Sequence, residues 1–345
     1  MASNNWPRSH EGDFTISSFQ FKDGSSLPKL RLHYRTLGCL KKDAQGRATN
    51  AILIMHGTTG SGANFFTPAF AGNLFNAGQP LSAEEYFLIL PDGIGHGGSS
   101  KPSDGLRARF PRYCYGDMVR AQYALVSEHL GVNHLRLVCG TSMGGMHTWV
   151  WGTTYPTFMD ALFPLASLPA QIAGRNRMWR KHAIDSIRLD PGFEGGEYGC
   201  PPPGFRSALH VLAWMASSPL KWQQAASDRA SADEFIDALV ERGMKSQDAN
   251  NFAYAFDASW DYDPRPLLGA IEVPLTAVNS ADDQVNPPEL RILEMEMGKV
   301  KLGKAVVLPI TDKTAGHGTH SIAECWVEHL VELLGRSERG EKARL

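Results

Sequence analysis

Short, unbroken apolar runs most constrain how this chain can fold. AILIM (51–55) and YFLIL (86–90) are apolar at every position, and LRLVC (135–139) repeats the signature. Runs of this length and composition suit strands buried on both faces, as in a parallel sheet flanked by helices. Segments of helical spacing separate them. DMVRAQYALVSEHLG, from Asp117, puts Met118, Ala121, Leu125 and Leu130 on one face, with Asp117 as N-cap and Gly131 as stop. A second helix is expected from Ser142 to Pro156, followed by a short strand at DALFPLA (160–166). KLRLHYRTL (29–37) alternates apolar and polar residues, the mark of a strand with one wet face.

The pattern changes after about residue 170. Residues 170–265 lack such runs and contain a Pro/Gly-rich break, PGFEGGEYGCPPPGF (191–205). Strand–helix alternation resumes at PLTAVN (274–279). A helix is expected over PPELRILEMEMG, with Asn286 as cap, Pro287 as first residue and Glu289 closing a capping box. A strand at KAVVLP (304–309) and a last helix at SIAECWVEHLVELLG (321–335) complete the chain. The expected fold is α/β: a mostly parallel twisted sheet with helices on both faces and a helical insertion. Residues 1–169 and 267–345 form the two parts of the core, and 170–266 the insertion. Its 345 residues suffice for one such domain. Ligands in these sheets sit outside the carboxyl ends of the strands, so an insertion there acts as a lid.

One stretch carries chemistry. LVCGTSMGGMHTW (137–149) places Ser142 between small residues at a strand-to-helix turn, matching G-x-S-x-G through Gly140 and Gly144. A Gly-Ser-Gly stretch is also a common turn, so the serine needs partners. An elbow serine is followed in chain order by an acid and then a histidine. The acid should follow a late strand, where NSADDQVNPP supplies Asp283, with Asp282 as the alternative. The base should follow the last strand, where AGHGTH supplies His317 between two glycines, with His320 the weaker choice. The Met143 N–H at the helix start and the Thr58 N–H in HGTTG (56–60) are the expected oxyanion donors. His56 reads as a structural hydrogen-bonding residue. Gly57, Thr59, Trp179 and Trp214 are candidate substrate contacts. The Gly-rich PDGIGHGGSSKP (91–102) lacks both the P-loop and the dinucleotide fingerprints, so it reads as a tight loop beside the site, with no nucleotide cofactor.

Charge and cysteine usage remove other classes. The net charge is -2 with no basic block, which argues against nucleic acid as partner. No apolar run approaches the ~20 residues of a membrane helix, and the N-terminus has no apolar signal core. Five scattered cysteines without a Cys-x-x-Cys argue against disulfides and metal, and for a reducing, cytoplasmic location. The terminal Ala-Arg-Leu resembles a degenerate peroxisomal address and is read as a chance match.

Several stretches together resemble the homoserine O-acetyltransferase family of α/β-hydrolases. They are LPKLRLHYRTLGCL, YGDMVRAQYALVSEHLGVNHL, GTSMGGMHTWVWGTTYP and RKHAIDSIRLDPGFEGGEY. The resemblance implies an α/β-hydrolase core, a helical lid over a recessed site, often a lid-mediated homodimer, and acyl-CoA as a donor. Two positions depart from the family. Gly318 stands where an aspartate normally follows the histidine, and Leu209 where a lid arginine grips the substrate carboxylate, with Arg206 nearby but out of register. The first expectation is therefore a serine esterase or thioesterase acting on a less charged small molecule through an acyl-enzyme, in a pocket lined by aromatic lid residues. The alternative is an acyl-CoA-dependent O-acyltransferase, with acetyl-CoA as co-substrate. A third reading is an inactive binding module.

Overall fold

The computed structural model describes residues 6–338. The terminal Ala-Arg-Leu and the first five residues lie outside them. The strands are β1 (His10–Gln20), β2 (Ser26–Leu37), β3 (Ala51–Met55), β4 (Phe87–Pro91), β5 (Leu137–Thr141), β6 (Leu162–Leu165), β7 (Leu275–Ser280) and β8 (Gly303–Leu308). They form one sheet in the order β1-β2-β4-β3-β5-β6-β7-β8. From β4 across to β8 every pairing is parallel, whereas β1–β2 and β2–β4 are antiparallel. This is an α/β-hydrolase fold. The apolar runs became strands because helices cover both faces, and every residue of β3, β5 and β7 is buried.

The helices are α1 (Ala71–Leu74), α2 (Tyr115–Ala124), α3 (Met143–Thr154), α4 (Gly174–Arg188), α5 (Pro203–Met215), α6 (Pro219–Ala225), α7 (Arg229–Ser246), α8 (Ala249–Asp257), α9 (Ile292–Met297) and α10 (Val327–Glu338). Helices α4–α8 all lie between β6 and β7. Helices α4, α5, α7 and α8 share an apolar cluster built around Trp179, Ile187, Phe205, Phe252 and Phe256. Trp149 and Trp151 from α3 are buried against the sheet in a second cluster with Leu53, Val138 and Leu162.

Several local expectations are corrected. β1 leaves no clear mark in the sequence, because it is an edge strand with mostly exposed residues. Helix α2 starts two residues before Asp117, with Cys114 at the N-cap. The Asp117 carboxylate reaches back from the third helical position to accept from the Cys114 N–H and also takes the Lys22 N–H. After Asn286 the chain makes a 3₁₀ turn at Pro288–Leu290. It passes through Arg291 at φ 53° before α9, so the expected continuous helix is broken. Asn286 is not a cap because its side chain is used elsewhere: it donates to Ala166 O and Asp283 Oδ2. The last helix begins at Val327, after 3₁₀ turns at Gly318–Ser321 and Ala323–Cys325.

Close packing explains the small residues of the elbow. A Cβ added to Gly144 would lie 2.0 Å from Met55 O, and one added to Gly140 would lie 2.3 Å from the Gly144 carbonyl carbon. The start of α3 is thus wedged against the ends of β3 and β5, with room for a hydrogen only. Gly144→Ala is expected to destabilise the fold by on the order of 3 kcal/mol, the upper range for overpacking, or to prevent folding. Urea unfolding checks this, and an unchanged midpoint contradicts it.

His56, His96 and His147 are buried near the carboxyl ends of the strands. Burial lowers His56 to about 4 and His96 to about 3, and it lowers His147 well below the ordinary value. Each stays neutral in the folded state while the unfolded chain takes up a proton below about pH 6.5. The unfolded state then binds more protons, so stability falls as pH drops from about 6.5 towards 4. The slope is on the order of 1 kcal/mol per pH unit for each histidine. Denaturant titrations across that range should show the loss; a flat profile contradicts it.

Candidate active site

β5 carries the chain through Thr141, and Ser142 follows at φ 54°, ψ −111°, with α3 starting at the next residue. A positive φ at a residue bearing a Cβ costs about 1–3 kcal/mol. Here it is held from both sides. The Ser142 N–H donates to Leu165 O on the neighbouring strand at 2.9 Å, and its carbonyl accepts from Met146 N at 2.9 Å. The turn puts the hydroxyl above the carboxyl ends of the strands. There Ser142 Oγ lies 2.8 Å from His317 Nε2, and His317 Nδ1 lies 2.9 Å from Asp283 Oδ2. Three residues from distant parts of the chain thus form one hydrogen-bonded line.

Asp283, not Asp282, meets the histidine. Its Oδ1 accepts from the backbone of Val285 at 2.7 Å and Asn286 at 3.0 Å, and its Oδ2 also accepts from Asn286 Nδ2 at 3.1 Å. Burial alone would raise this carboxyl. The His317 ring beside it, with the His317 and Asn286 hydrogen bonds, outweighs burial and keeps it below the ordinary aspartate value. Asp282 is turned away and accepts from the Ser280 and Thr314 hydroxyls. His320 bonds to neither Ser142 nor an aspartate; it sits with its ring centre 5.4 Å from that of His317, and burial lowers it to about 3. Of the two glycines flanking His317, Gly316 is the one the backbone requires. Its φ is +59°, and a Cβ there would lie 2.6 Å from the Ser217 backbone.

The loop after β3 is held by His56. Its Nδ1 donates to Gly57 O at 2.8 Å, and its Nε2 accepts from Gly93 N at 2.9 Å. Pinning the Gly57 carbonyl fixes the plane of the Gly57–Thr58 peptide, and in a trans peptide the Thr58 N–H then points the opposite way. This peptide runs beside the serine: a Cβ on Gly57 would lie 3.4 Å from Ser142 Cβ. Met143 is the first residue of α3, so its N–H is one of the donors a helix start leaves without an intrahelical partner. The Gly-rich loop after β4 buttresses the same region, since Asp92 accepts from Gly62 N at 2.7 Å and Gly98 N at 2.8 Å.

A cavity of about 340 Å³ opens on this site, and Gly57, Thr58, Thr59, Trp179 and His317 are in its wall. A second, of about 450 Å³, adjoins it on the side of Ala166, Asn176 and Asn286. Trp214 is absent from both walls and is 61% exposed, so its expected substrate contact is corrected. It lies on the outward face of α5. Leu209 is buried against Gly243 inside the insertion, and Arg206 is engaged with Glu241 on the surface, so neither reaches the site. The pocket is nevertheless not uniformly apolar, because Arg180 of α4 stands in both walls. Nothing in its spacing distinguished it from the other basic residues of that helix. The local sequence around Asn286 signals only a helix cap.

Comparison with known proteins agrees with this architecture. A family model described as the alpha/beta hydrolase fold matches residues 50–198. A homoserine O-acetyltransferase of Pelobacter propionicus is 30% identical over 344 residues, covering 89% of this chain and 91% of its own. Another, from Thermobifida fusca, is 35% identical over 196 residues, covering 52% of this chain and half of its own length. Among solved structures, the acetyl esterase MekB superposes with a TM-score of 0.82 at 23% identity, over 94% of this chain and 97% of that one. The sequence relatives are named as transferases rather than ester hydrolases. The chain is an enzyme of the α/β-hydrolase fold, and it belongs to the homoserine O-acetyltransferase-like family.

Proposed function

We propose that the protein is a serine-dependent O-acyltransferase that passes an acyl group from a thioester, such as acetyl-CoA, to the hydroxyl of a small molecule. The line Ser142–His317–Asp283 is the observation that carries this reading. The names of the sequence relatives favour transfer over the esterase first expected. Hydrolysis remains the second reading, favoured by Gly318 and Leu209 standing where the family has charged residues.

His317 Nε2 accepts the proton as Ser142 Oγ attacks the thioester carbonyl. The Met143 and Thr58 N–H groups receive the developing oxyanion; each such donor is typically worth about 3 kcal/mol of barrier. The C–S bond breaks, and the departing sulfur takes the proton from His317. The acceptor hydroxyl then gives its proton to the same nitrogen and attacks the acyl-serine. Collapse of the second intermediate releases the new ester and returns the proton to Ser142 Oγ. Asp283 stays ionised throughout, keeping the Nδ1 proton in place and stabilising the charged ring. Its carboxyl is held below the ordinary value, which suits that role. Water entering in place of the acceptor turns the same cycle into hydrolysis.

Incubation with acetyl-CoA should leave an acetyl group on the wild-type chain, detected by intact mass, and none on Ser142→Ala with its fold intact. Acetylated Ser142→Ala with full turnover would sink the assignment. Adding L-homoserine or another small alcohol should give ester faster than free acetate; acetate as sole product makes the protein a hydrolase. Asp283→Asn should slow acyl-enzyme formation by about 10⁴-fold, because the amide favours the wrong imidazole tautomer. Asp282→Asn should cost less than about tenfold, since that carboxylate does not touch the ring. Equal losses in stopped-flow acylation would contradict the proposed division of labour.

A further inference from the structure

Four residues line both cavities: Ser142, His317, Val285 and Arg180. The first two are the proposed chemical groups, and Val285 is apolar. Arg180 is a cation placed where the two spaces meet, and it is only 2% exposed.

Its surroundings do not neutralise it. Nε donates to Asn176 Oδ1 at 2.8 Å. The guanidinium stacks near Trp179 and Phe256, at 5.2 and 5.4 Å from their ring centres. Its other polar neighbour is the Tyr115 hydroxyl, a neutral group that brings no charge to offset it. Burial pushes the guanidinium below its ordinary pKa; Tyr115, by its hydrogen bond among other effects, opposes this, Arg177 adds to it, and no carboxylate is among the groups acting on it. An arginine keeps its proton even so. A buried charge without an ionic partner is strongly unfavourable, and neutral acceptors and aromatic faces return only part of the lost hydration. The counter-charge is therefore missing from the described chain.

The adjoining wall has the same unmet need. Trp179 Nε1, the Thr58 hydroxyl and His320 Nδ1 are buried without partners, and all three residues line the smaller cavity with Arg180. The guanidinium and indole groups only donate, so the complementary group is an acceptor carrying negative charge. A planar carboxylate suits a guanidinium better than any neutral acceptor.

We propose that Arg180 is a carboxylate-binding residue, and that the substrate carries a carboxylate on the acyl chain or on the acceptor alcohol. This rests on Ser142 being the nucleophile. It places the anion site on α4, away from the family's arginine position, which Leu209 occupies here. It also explains why the loss of charge at Gly318 and Leu209 does not leave the pocket without charge.

Two arms locate the carboxylate, each read as a ratio of kcat/KM within a matched pair. On the acyl side, succinyl-CoA is compared with butyryl-CoA. On the acceptor side, L-homoserine is compared with its carboxamide, with acetyl-CoA as donor. In one arm the wild type should favour the anionic member by at least about tenfold, the usual scale of a charged hydrogen bond. Arg180→Met should bring that ratio close to one, and Arg180→Lys should retain part of it. A ratio near one in both arms of the wild type, or one that survives in Arg180→Met, overturns the proposal. Should Arg180→Met fail to fold, the wild type decides alone: glutarate should protect Ser142 from fluorophosphonate labelling at lower concentration than its diamide, and equal protection overturns it. Absence of labelling in the unprotected wild type would instead overturn Ser142 as nucleophile, so the two failures are distinguishable.

Discussion

The contact on which the rest depends is the near-touch between the first turn of α3 and the ends of β3 and β5. With Gly144 against Met55 O and Gly140 against Gly144, helix and strands approach closer than any side chain allows. The chain must turn through one residue, and that residue is forced to a positive φ. Ser142 takes the strain, and its hydroxyl and the following N–H groups face the same space above the sheet. Parallel strands with crossover helices put β7, β8 and their following loops on that same edge, which is how residues 283 and 317 arrive there.

The neutral histidines and the carboxylate serve the same end by opposite means. His56, His96 and His147 are kept uncharged by burial. His56 then has one donor and one acceptor nitrogen, and with these it ties the loop after β3 to the loop after β4. Asp283 is kept charged in spite of burial, because backbone and Asn286 donors converge on it. A rigid donor loop on one side and an ionised acid on the other leave His317 one well-defined place between serine and carboxylate. Arg180 is the exception: a buried charge with no ionic partner among the described residues.

Much of this was readable from residue order. The apolar runs located β3 and β4 within one residue and β5 within two, because full burial on both faces leaves no polar position to blur the run. Ser142, Asp283 and His317 stood out because an elbow needs small neighbours and a fixed order of partners. The misses share a cause. β1 is half wet and pairs through its backbone, so its side chains carried little signal. Asp117 caps α2 from its third position and not as the N-cap, and Asn286, which has the character of a cap, is used elsewhere. Their partners are Lys22, Cys114 and Arg120 in one case, and Ala166 and Asp283 in the other. Trp214 and Trp179 lie on helices of the same insertion, yet one faces solvent and the other the cavity.

By itself the sequence determined the α/β layering, the elbow, and the chemical types of the three residues that would have to meet. Burial periodicity and steric demands are local, and they are written in adjacent residues. Only the tertiary structure decided which of two neighbouring aspartates faces the imidazole, which aromatic residues line the pocket, and that an arginine from α4 stands beside the serine. Those outcomes depend on how separate elements turn against one another, and a one-residue step along a loop or helix points a side chain the other way.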